Sequence, residues 1–442
     1  MLCIDTITEI IKIQMSVMDC LPIGYKRTPL GVIPQEWEVL PLSVAFRIQG
    51  GYAFKSELFS TTGDIPVIRI SNLPQNSRFV ELSECVYYPS HIEICSQFTI
   101  HKGDLLIAMS GATTGKTAIF NKSFNAYLNQ RVGVFRQTTN KILYSYLLSI
   151  IHSTLFKYKL QPLLIAGAQP NISSNDIENM KFAIPPIQEQ KKIAELLSEW
   201  DKAIELQTKL IEELELRKRA LMQRLLTGRV RLNGFSDKWK KKRLSEIGVF
   251  LSSNTLSRDK LNKIGGHIQN IHYGDILIHY PTIINPAYTP IPYVNKDVIV
   301  NSDLLQDGDI VFADTAEDYT VGKAIEIVNV SVRQIVAGLH TIPFRPNKGL
   351  YAKQFLGYYI NSASYQKQLR ALTQGIKVCS ISKSSIKNTY LQIPSLAEQS
   401  VIAEVLMSAD AEIKIAKTKL SSLRNQKRGL MQQLLTGKKR IK

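Results

Sequence analysis

Residues 184–228 and 393–437 are two copies of one segment. Aligned at a shift of 209 positions, they run without a gap and share 20 of 45 residues. The shared residues include Ile184-Pro185/Ile393-Pro394, Glu189-Gln190/Glu398-Gln399 and Ile193-Ala194-Glu195/Ile402-Ala403-Glu404. The copies close on ALMQRLLTGRVR (220–231) and GLMQQLLTGKKR (429–440). Upstream, Ile172, Ser173, Ile177 and Asn179 are matched by Ile381, Ser382, Ile386 and Asn388. An internal repeat constrains the fold more than composition does, because whatever the first copy builds, the second must build too.

Each copy reads as a long helix. In the first, Ile193, Leu197, Trp200, Ile204, Ile211, Leu214, Leu221 and Leu225 fall on alternating steps of four and three, interrupted only by Gln207 and Lys218. In the second, the same frame gives Ile402, Leu406, Ala409, Ile413, Ala416, Leu420, Leu423, Lys427, Leu430 and Leu434. This is the period of a coiled-coil seam. Pro186 starts the first helix, and Ser395-x-x-Glu398 reads as a capping box for the second. Gly228 and Gly437 end them, giving helices roughly 60 Å long at 1.5 Å per residue. Two equivalent seams in one chain predict an intramolecular antiparallel coiled coil. Two independently packed helices and homodimeric pairing stay open as alternatives.

The duplication extends to the entrance of each half. GVIPQEWEVLPLSVAF (31–46) is similar to NGFSDKWKKKRLSEIGVF (233–250), with Trp37 on Trp239 and Leu42-Ser43 on Leu244-Ser245. Between entrance and helix the halves diverge, leaving three echoes. These are Lys102-Gly103-Asp104 with Asp307-Gly308-Asp309, Gly115-Lys116 with Gly322-Lys323, and Phe135-Arg136 with Phe344-Arg345. Short β-branched runs predict strands at 65–70, 104–109, 132–136, 275–280, 309–313 and 323–328, with helices near 141–160 and 351–374. The predicted fold is therefore mixed α/β: two globules separated by the two helices, with pseudo-twofold symmetry. Its segments are an extension (1–30), a first globule (31–185), the central helix (186–230), a second globule (231–394) and a closing helix (395–442).

The formal net charge of +18 points to a polyanionic partner, nucleic acid before an anionic membrane. Five irregularly spaced cysteines without a C-x-x-C pair imply neither a disulfide framework nor a zinc site and suit a reducing cytoplasm. No apolar run reaches the ~20 residues of a membrane span. SGATTGKT (110–117) has Ser110 where a phosphate-binding loop needs its first Gly, so a strand-to-strand turn is the better reading. INPAYTP (284–290) departs from an adenine-methyltransferase motif at Ala287. No catalytic constellation and no metal-ligand pattern emerge, which points to a binder.

The doubled IP…EQ..IAE.L…D, long helix, LMQ.LLTG pattern, joined to divergent globules entered at a tryptophan, resembles the specificity subunit of type I restriction–modification enzymes over residues 25–442. The resemblance implies that each globule is a target recognition domain reading one half of a bipartite, asymmetric site in double-stranded DNA. It also implies that the helices dock two modification (methyltransferase) subunits, that restriction (translocase–endonuclease) subunits join, and that this chain catalyses nothing. The methyl donor, ATP and magnesium would reside on those partners, with no cofactor in this chain. A helix pair of fixed length would then act as a ruler for the unread spacer.

Bases are read by Arg, Lys, Asn and Gln, with phosphates held by basic and hydroxyl groups. Polar residues just past strands nominate Lys55, Arg69, Ser71, Asn72, Thr113, Lys116, Gln130 and Arg131 in the first globule. The second offers His267, Gln269, Asn270, His272, Tyr273, Tyr319, Lys323 and His340. KWKKKR (238–243) is phosphate-facing or merely solvated. A coiled-coil scaffold whose globules do not read DNA is the alternative from another class, and a nucleotide hydrolase is third.

Overall fold

A computed structural model describes residues 21–441, apart from 75–76, 166–170, 299, 332 and 376–377; the extension before residue 21 lies outside the described residues. The chain forms two compact units. One runs up to Leu206 and takes back the chain from Leu420, and the other is Gln207–Lys419. Each long helix, Ile187–Leu225 and Leu396–Leu434, therefore contributes to both.

In the first unit the globule is built on two four-stranded sheets. One orders the strands Val86–Tyr88, Ile65–Ile68, Ala126–Leu128 and Thr99–Ile100; the other orders Phe46–Gly50, Val132–Gln137, Leu105–Ala108 and Thr117–Ile119. Leu105–Ala108 is buried along its whole length, which is why it reads as a continuous apolar run rather than an alternation. Helices Tyr144–Ile151 and Thr154–Ile165 supply Tyr146, Leu147, Ile150, Phe156 and Leu160 to the core. A two-stranded ribbon, Glu38–Pro41 with Lys181–Ile184, closes the entrance.

The second unit repeats this frame with a five-stranded sheet. Its order is Gly248–Phe250, Thr341–Pro346, Ile310–Ala313, Ala324–Ile327 and Ile283–Ile284. The faint sequence echoes are its shared joints. Asp104 accepts from the His101 amide and pairs with Arg136, as Asp309 accepts from the Gln306 amide and pairs with Arg345. One expected strand is not there: in DILIHY (275–280) the first four residues belong to a helix, Tyr273–Ile278, and the last two follow its end. His272 caps it by accepting from the Gly274 amide, and Ile276 and Tyr280 are buried four residues apart while Ile278 is 76% exposed. A stretch of six residues cannot by itself distinguish these two periods.

The helices pack antiparallel within each unit. In the first, Asp201 bonds Lys427 at 2.5 Å and Glu189 bonds Arg440 at 2.7 Å. In the second, Gln207 donates to the Ala416 carbonyl at 3.1 Å, Lys218 bonds Asp410 at 2.5 Å, and Arg217 pairs with Glu412. Seam positions Ile193, Leu197, Ile211, Leu225, Ile402, Leu406, Ile413 and Leu434 are buried; Trp200, Ile204, Leu214, Leu221, Leu420, Leu423 and Leu430 are half-buried. The closing turns do more than end a helix. Leu434 and Leu435 enter the core around Trp37, whereas Leu225 and Leu226 enter the core of the second globule.

The repeated Glu-Gln and tryptophan are explained by one lock used twice. Glu189, 6% exposed, accepts from Trp37 Nε1 at 3.0 Å and from the Arg440 guanidinium. Glu398, 1% exposed, accepts from Trp239 Nε1 at 3.1 Å and bidentately from Arg231. A buried carboxylate is costly unless paired and hydrogen-bonded, and both are. The expected capping box at Ser395 is thus only half formed. Ser395 Oγ accepts from the Glu398 amide, but the Glu398 carboxylate is committed to Arg231 and Trp239. Gln190 and Gln399 complete the joint, each accepting from a loop amide (Leu143, Ala352) and donating to the proline carbonyl before the helix. Gly228 and Gly437 stop the helices at φ of +66° and +70°, a left-handed turn that glycine adopts without strain.

Candidate nucleic-acid interface

In the first globule the ends of four segments converge on one rim. The Asn129 amide donates to the Ile68 carbonyl, Gln130 to Tyr52, Met109 to Arg131, and Ile172 back to Met109, at 2.9–3.0 Å. This places Tyr52, Arg69, Ser110, Gln130, Arg131 and Asn171 side by side. Gln130 and Arg131 are exposed, and among the described residues no ion pair holds the Arg131 guanidinium. Arg69 is half-buried, with Nη2 on the Glu84 carbonyl at 3.3 Å and Nε without a partner. Ser110 Oγ and Thr113 Oγ1 are likewise buried and unpartnered, so the rim carries spare hydrogen-bonding capacity.

The other nominated residues go elsewhere. Lys55 and Ser71 are exposed, Lys55 just before the short turn Ser56–Leu58. Asn72 is 1% exposed and used by the fold: its Oδ1 accepts from the Arg69 amide and its Nδ2 donates to Glu81. Lys116 faces a cavity on the side of helix Thr154–Ile165.

The second globule repeats the backbone of the rim with different side chains. Gly338 donates to Ile271, Asp314 to His340, and Ile381 to Asp314. His272 thereby occupies the place of Arg69, and His340 the place of Arg131. The His272 and Tyr273 rings lie 4.6 Å apart, Tyr273 and His340 5.2 Å apart. His340 Nδ1 sits 3.3 Å from both Asp314 Oδ1 and Thr315 Oγ1, and its backbone is held at φ +54°. A non-glycine residue in that region is uncommon and clusters at functional sites. Burial, reinforced by Arg258, lowers the His272 pKa and keeps the ring neutral. One nitrogen accepts from Gly274, leaving the other as a potential donor.

Tyr319 is 75% exposed and His267 is exposed. Gln269 is buried, with Oε1 unpartnered, on a cavity of about 800 Å³ that Arg258, Lys263, Tyr288 and Arg333 also line. Asn270 is fully buried and receives the Asn254 amide at 2.7 Å, a joint of the fold. Lys323 turns inward to the Leu277 and Tyr280 carbonyls, and burial lowers its pKa. Sequence reasoning passed over Tyr52, Ser110, Asn171, Asn254, Arg258 and Thr315. Ser110 and Thr315 could have been found by carrying the repeat alignment into the globules; Arg258, bidentate on Asp275 at 2.7 and 2.9 Å, carried no local signal.

KKKR of the basic run forms the exposed strand Lys240–Arg243, with Lys241 and Arg243 over the Tyr390 ring. Among the described residues no cluster of ligating side chains could hold a metal, and no helix is long and apolar enough to cross a membrane.

Two rims on one repeated frame are matched by a doubled family signature. The type I restriction modification DNA specificity domain matches residues 34–216 and again 236–425. The chain belongs to this family. It is 27% identical over 438 residues to a Methanocaldococcus jannaschii chain described as the MjaX specificity subunit, covering 95% of this chain and 97% of that one. It is 24% identical over 391 residues to the type I restriction enzyme StySPI specificity subunit of Salmonella potsdam, covering 84% and 81%. The fold is shared with the crystal structure of the S subunit from M. genitalium, at TM-score 0.52, 15% identity and coverage of 90% and 96%. A chain from a study of assembly of the type I R-M system gives TM-score 0.58 at 15% identity, covering 92% and 99%. As a specificity subunit by family, the chain is a DNA-recognition component of a restriction–modification system.

Proposed function

We propose that the two globules read the two halves of a bipartite, asymmetric sequence in double-stranded DNA and direct adenine methylation or restriction carried out by partner subunits. The observation that carries this reading is the pair of rims: equivalent backbone frames presenting Arg69, Gln130 and Arg131 in one globule and His272, Tyr273 and His340 in the other. Arginine is suited to bidentate contact with guanine, whereas a histidine ring presents one nitrogen at a time to a base edge. Two different sets on one frame suit two different half-sites. In this reading the chain supplies no catalysis and no cofactor; two modification subunits bring the methyl donor, and restriction subunits bring ATP and magnesium chemistry. The net charge of +18 supplies the salt-dependent, sequence-independent share of binding.

The test is methylome sequencing of cells that express this chain with its modification partner. A two-part methylated motif with an unread gap is expected, and substitution at Arg131 or His340 should alter one part only. If both substitutions change the same part, or methylation shows no two-part motif, the reading fails. A scaffold whose globules ignore DNA would leave duplex binding without sequence preference at every salt concentration.

A further inference from the structure

We propose that the first unit holds a phosphate group in the cavity beside the Thr114–Thr117 turn. The cavity, about 720 Å³, is lined by Arg78, Lys116, His152, Lys157, Asp201 and Lys427, among others. Four cations therefore meet a single carboxylate. Asp201 is already shared, at 2.5 Å from both Arg78 Nη1 and Lys427 Nζ. Arg78 Nε and His152 Nε2 are buried without any partner. Burial lowers the pKa of the Lys427 ammonium, Asp201 acting against it, and brings that of His152 down to about 4 with Arg78 adding to the effect. Uncompensated positive charge and the idle Arg78 Nε donor in a half-closed cavity are expensive unless something negative occupies it.

The second unit serves as an internal control, because the same positions there are closed by the protein itself. Lys323, the counterpart of Lys116, donates to the Leu277 and Tyr280 carbonyls. Asn361, 209 positions after His152, donates to the Ala324 and Gly357 carbonyls and accepts from the Ala324 amide. Asp410, the repeat of Asp201, takes one cation, Lys218, and the neutral Tyr358 hydroxyl at 2.7 Å. One frame thus contains a closed version and an open one, and the open one carries the surplus charge. A tetrahedral phosphate offers several strong acceptor atoms and the missing negative charge, and guanidinium and ammonium groups are its usual partners. The phosphate could belong to a DNA backbone or to a free anion, and the experiment separates the two.

The full chain would be titrated with inorganic phosphate in a chloride-matched buffer, by calorimetry and by thermal stabilisation. One saturable site is expected, weakened about tenfold or more when a charged hydrogen-bond donor is removed, as in Arg78→Gln. Lys116→Gln, which leaves the Asp201 pairs intact and so does not threaten folding, should weaken binding similarly, while Lys323→Gln should not. Absence of saturable binding, or binding indifferent to both Arg78→Gln and Lys116→Gln, overturns the proposal. If duplex DNA displaces the bound phosphate, the site serves the backbone; if both bind together, it serves a free anion, and either result upholds phosphate as the ligand. Because the titration itself contains no DNA, its outcome is independent of whether the globules read sequence.

Discussion

The two globules hold the same backbone joints and place different chemistry on them. Asp104–Arg136 and Asp309–Arg345, or Gln190 and Gln399, are interchangeable parts. Arg131 and His340, at one place of the rim, are not. The difference teaches where variation is tolerated. Where one side chain satisfies the same buried backbone groups in both copies, as Gln190 and Gln399 do, the residue recurs, because losing it strands a polar atom away from water. Arg131 and His340 are exposed and fill no core position, so the fold leaves their identity to what they are to meet.

The largest expected effect falls on the lock, where the copies differ in depth. Trp37 is fully buried, whereas Trp239 is half-buried. Trp37→Ala should destabilise the first unit by about 3–5 kcal/mol, the range for large-to-small core changes, and Trp239→Ala the second unit by less. Hydrogen exchange resolved by segment would measure each. Equal losses would show that the shared carboxylate, not packing depth, sets the strength of the lock.

The next effect is on reading. Arg131→Ala and His340→Ala remove groups with no role in the core, so stability should change by less than about 0.5 kcal/mol. Affinity for the matching half-site should fall by roughly 1–3 kcal/mol, the value of one good base contact. Competition binding with duplexes altered in one half at a time is the measurement. A loss that is uniform over both halves would reassign the residue to phosphate contact.

The helices, the tryptophan entrances and the glycine stops were legible because the repeat doubled every signal and the helical period runs for 39 residues in each copy. The strand order was not, since it depends on pairings such as Gln269 with Ile335 that leave no local trace. The site was legible by residue type but not by orientation. Asn72, Asn270 and Lys323 have the side chains of DNA readers, yet each is turned inward to satisfy backbone or side-chain partners. Arg69 and Arg131 look no different in sequence and face the rim. What separates them is which way a residue points after the strand ends, and that is fixed by joints such as Met109 to Arg131, made across more than 20 residues.

The globules should also answer to pH with opposite signs. His152 has its folded pKa lowered from 6.5 to about 4, chiefly by burial. The unfolded chain therefore binds more protons between those values, and this group's contribution is lost as pH falls from about 6.5 toward 4. Glu326 has its folded pKa raised from 4.5 to about 7 by burial, against two amide donors, Gly357 and Gln354. Here the folded state binds the extra proton, so this contribution is full below 4.5 and is lost as pH rises to about 7. His152→Asn, the residue that the second globule uses at this point, should flatten the acid limb of the first unit. Glu326→Gln should flatten the limb between 4.5 and 7 in the second. Segment-resolved exchange across pH 4–7.5 would show slopes of the same sign if either assignment is wrong.

The smallest effect concerns the seam. Gln207 and Ala416 are the same position of the repeat, and the Gln207 amide donates to the Ala416 carbonyl. Gln207 is buried, so its side chain loses water and gains one hydrogen bond, a near balance. Gln207→Leu removes both the desolvation and the bond while keeping the volume, and should change stability by less than about 1 kcal/mol in either direction. A polar residue in an apolar seam more often fixes register and partner than strength. The variant should therefore reveal itself in pairing: a fraction of self-associated chain, seen by light scattering after size exclusion, at nearly unchanged urea midpoint. A large fall in midpoint without association would instead make this bond a stabilising contact. The remaining polar seam pairs, Lys218–Asp410 and Lys427–Asp201, would then be what holds the helices in register.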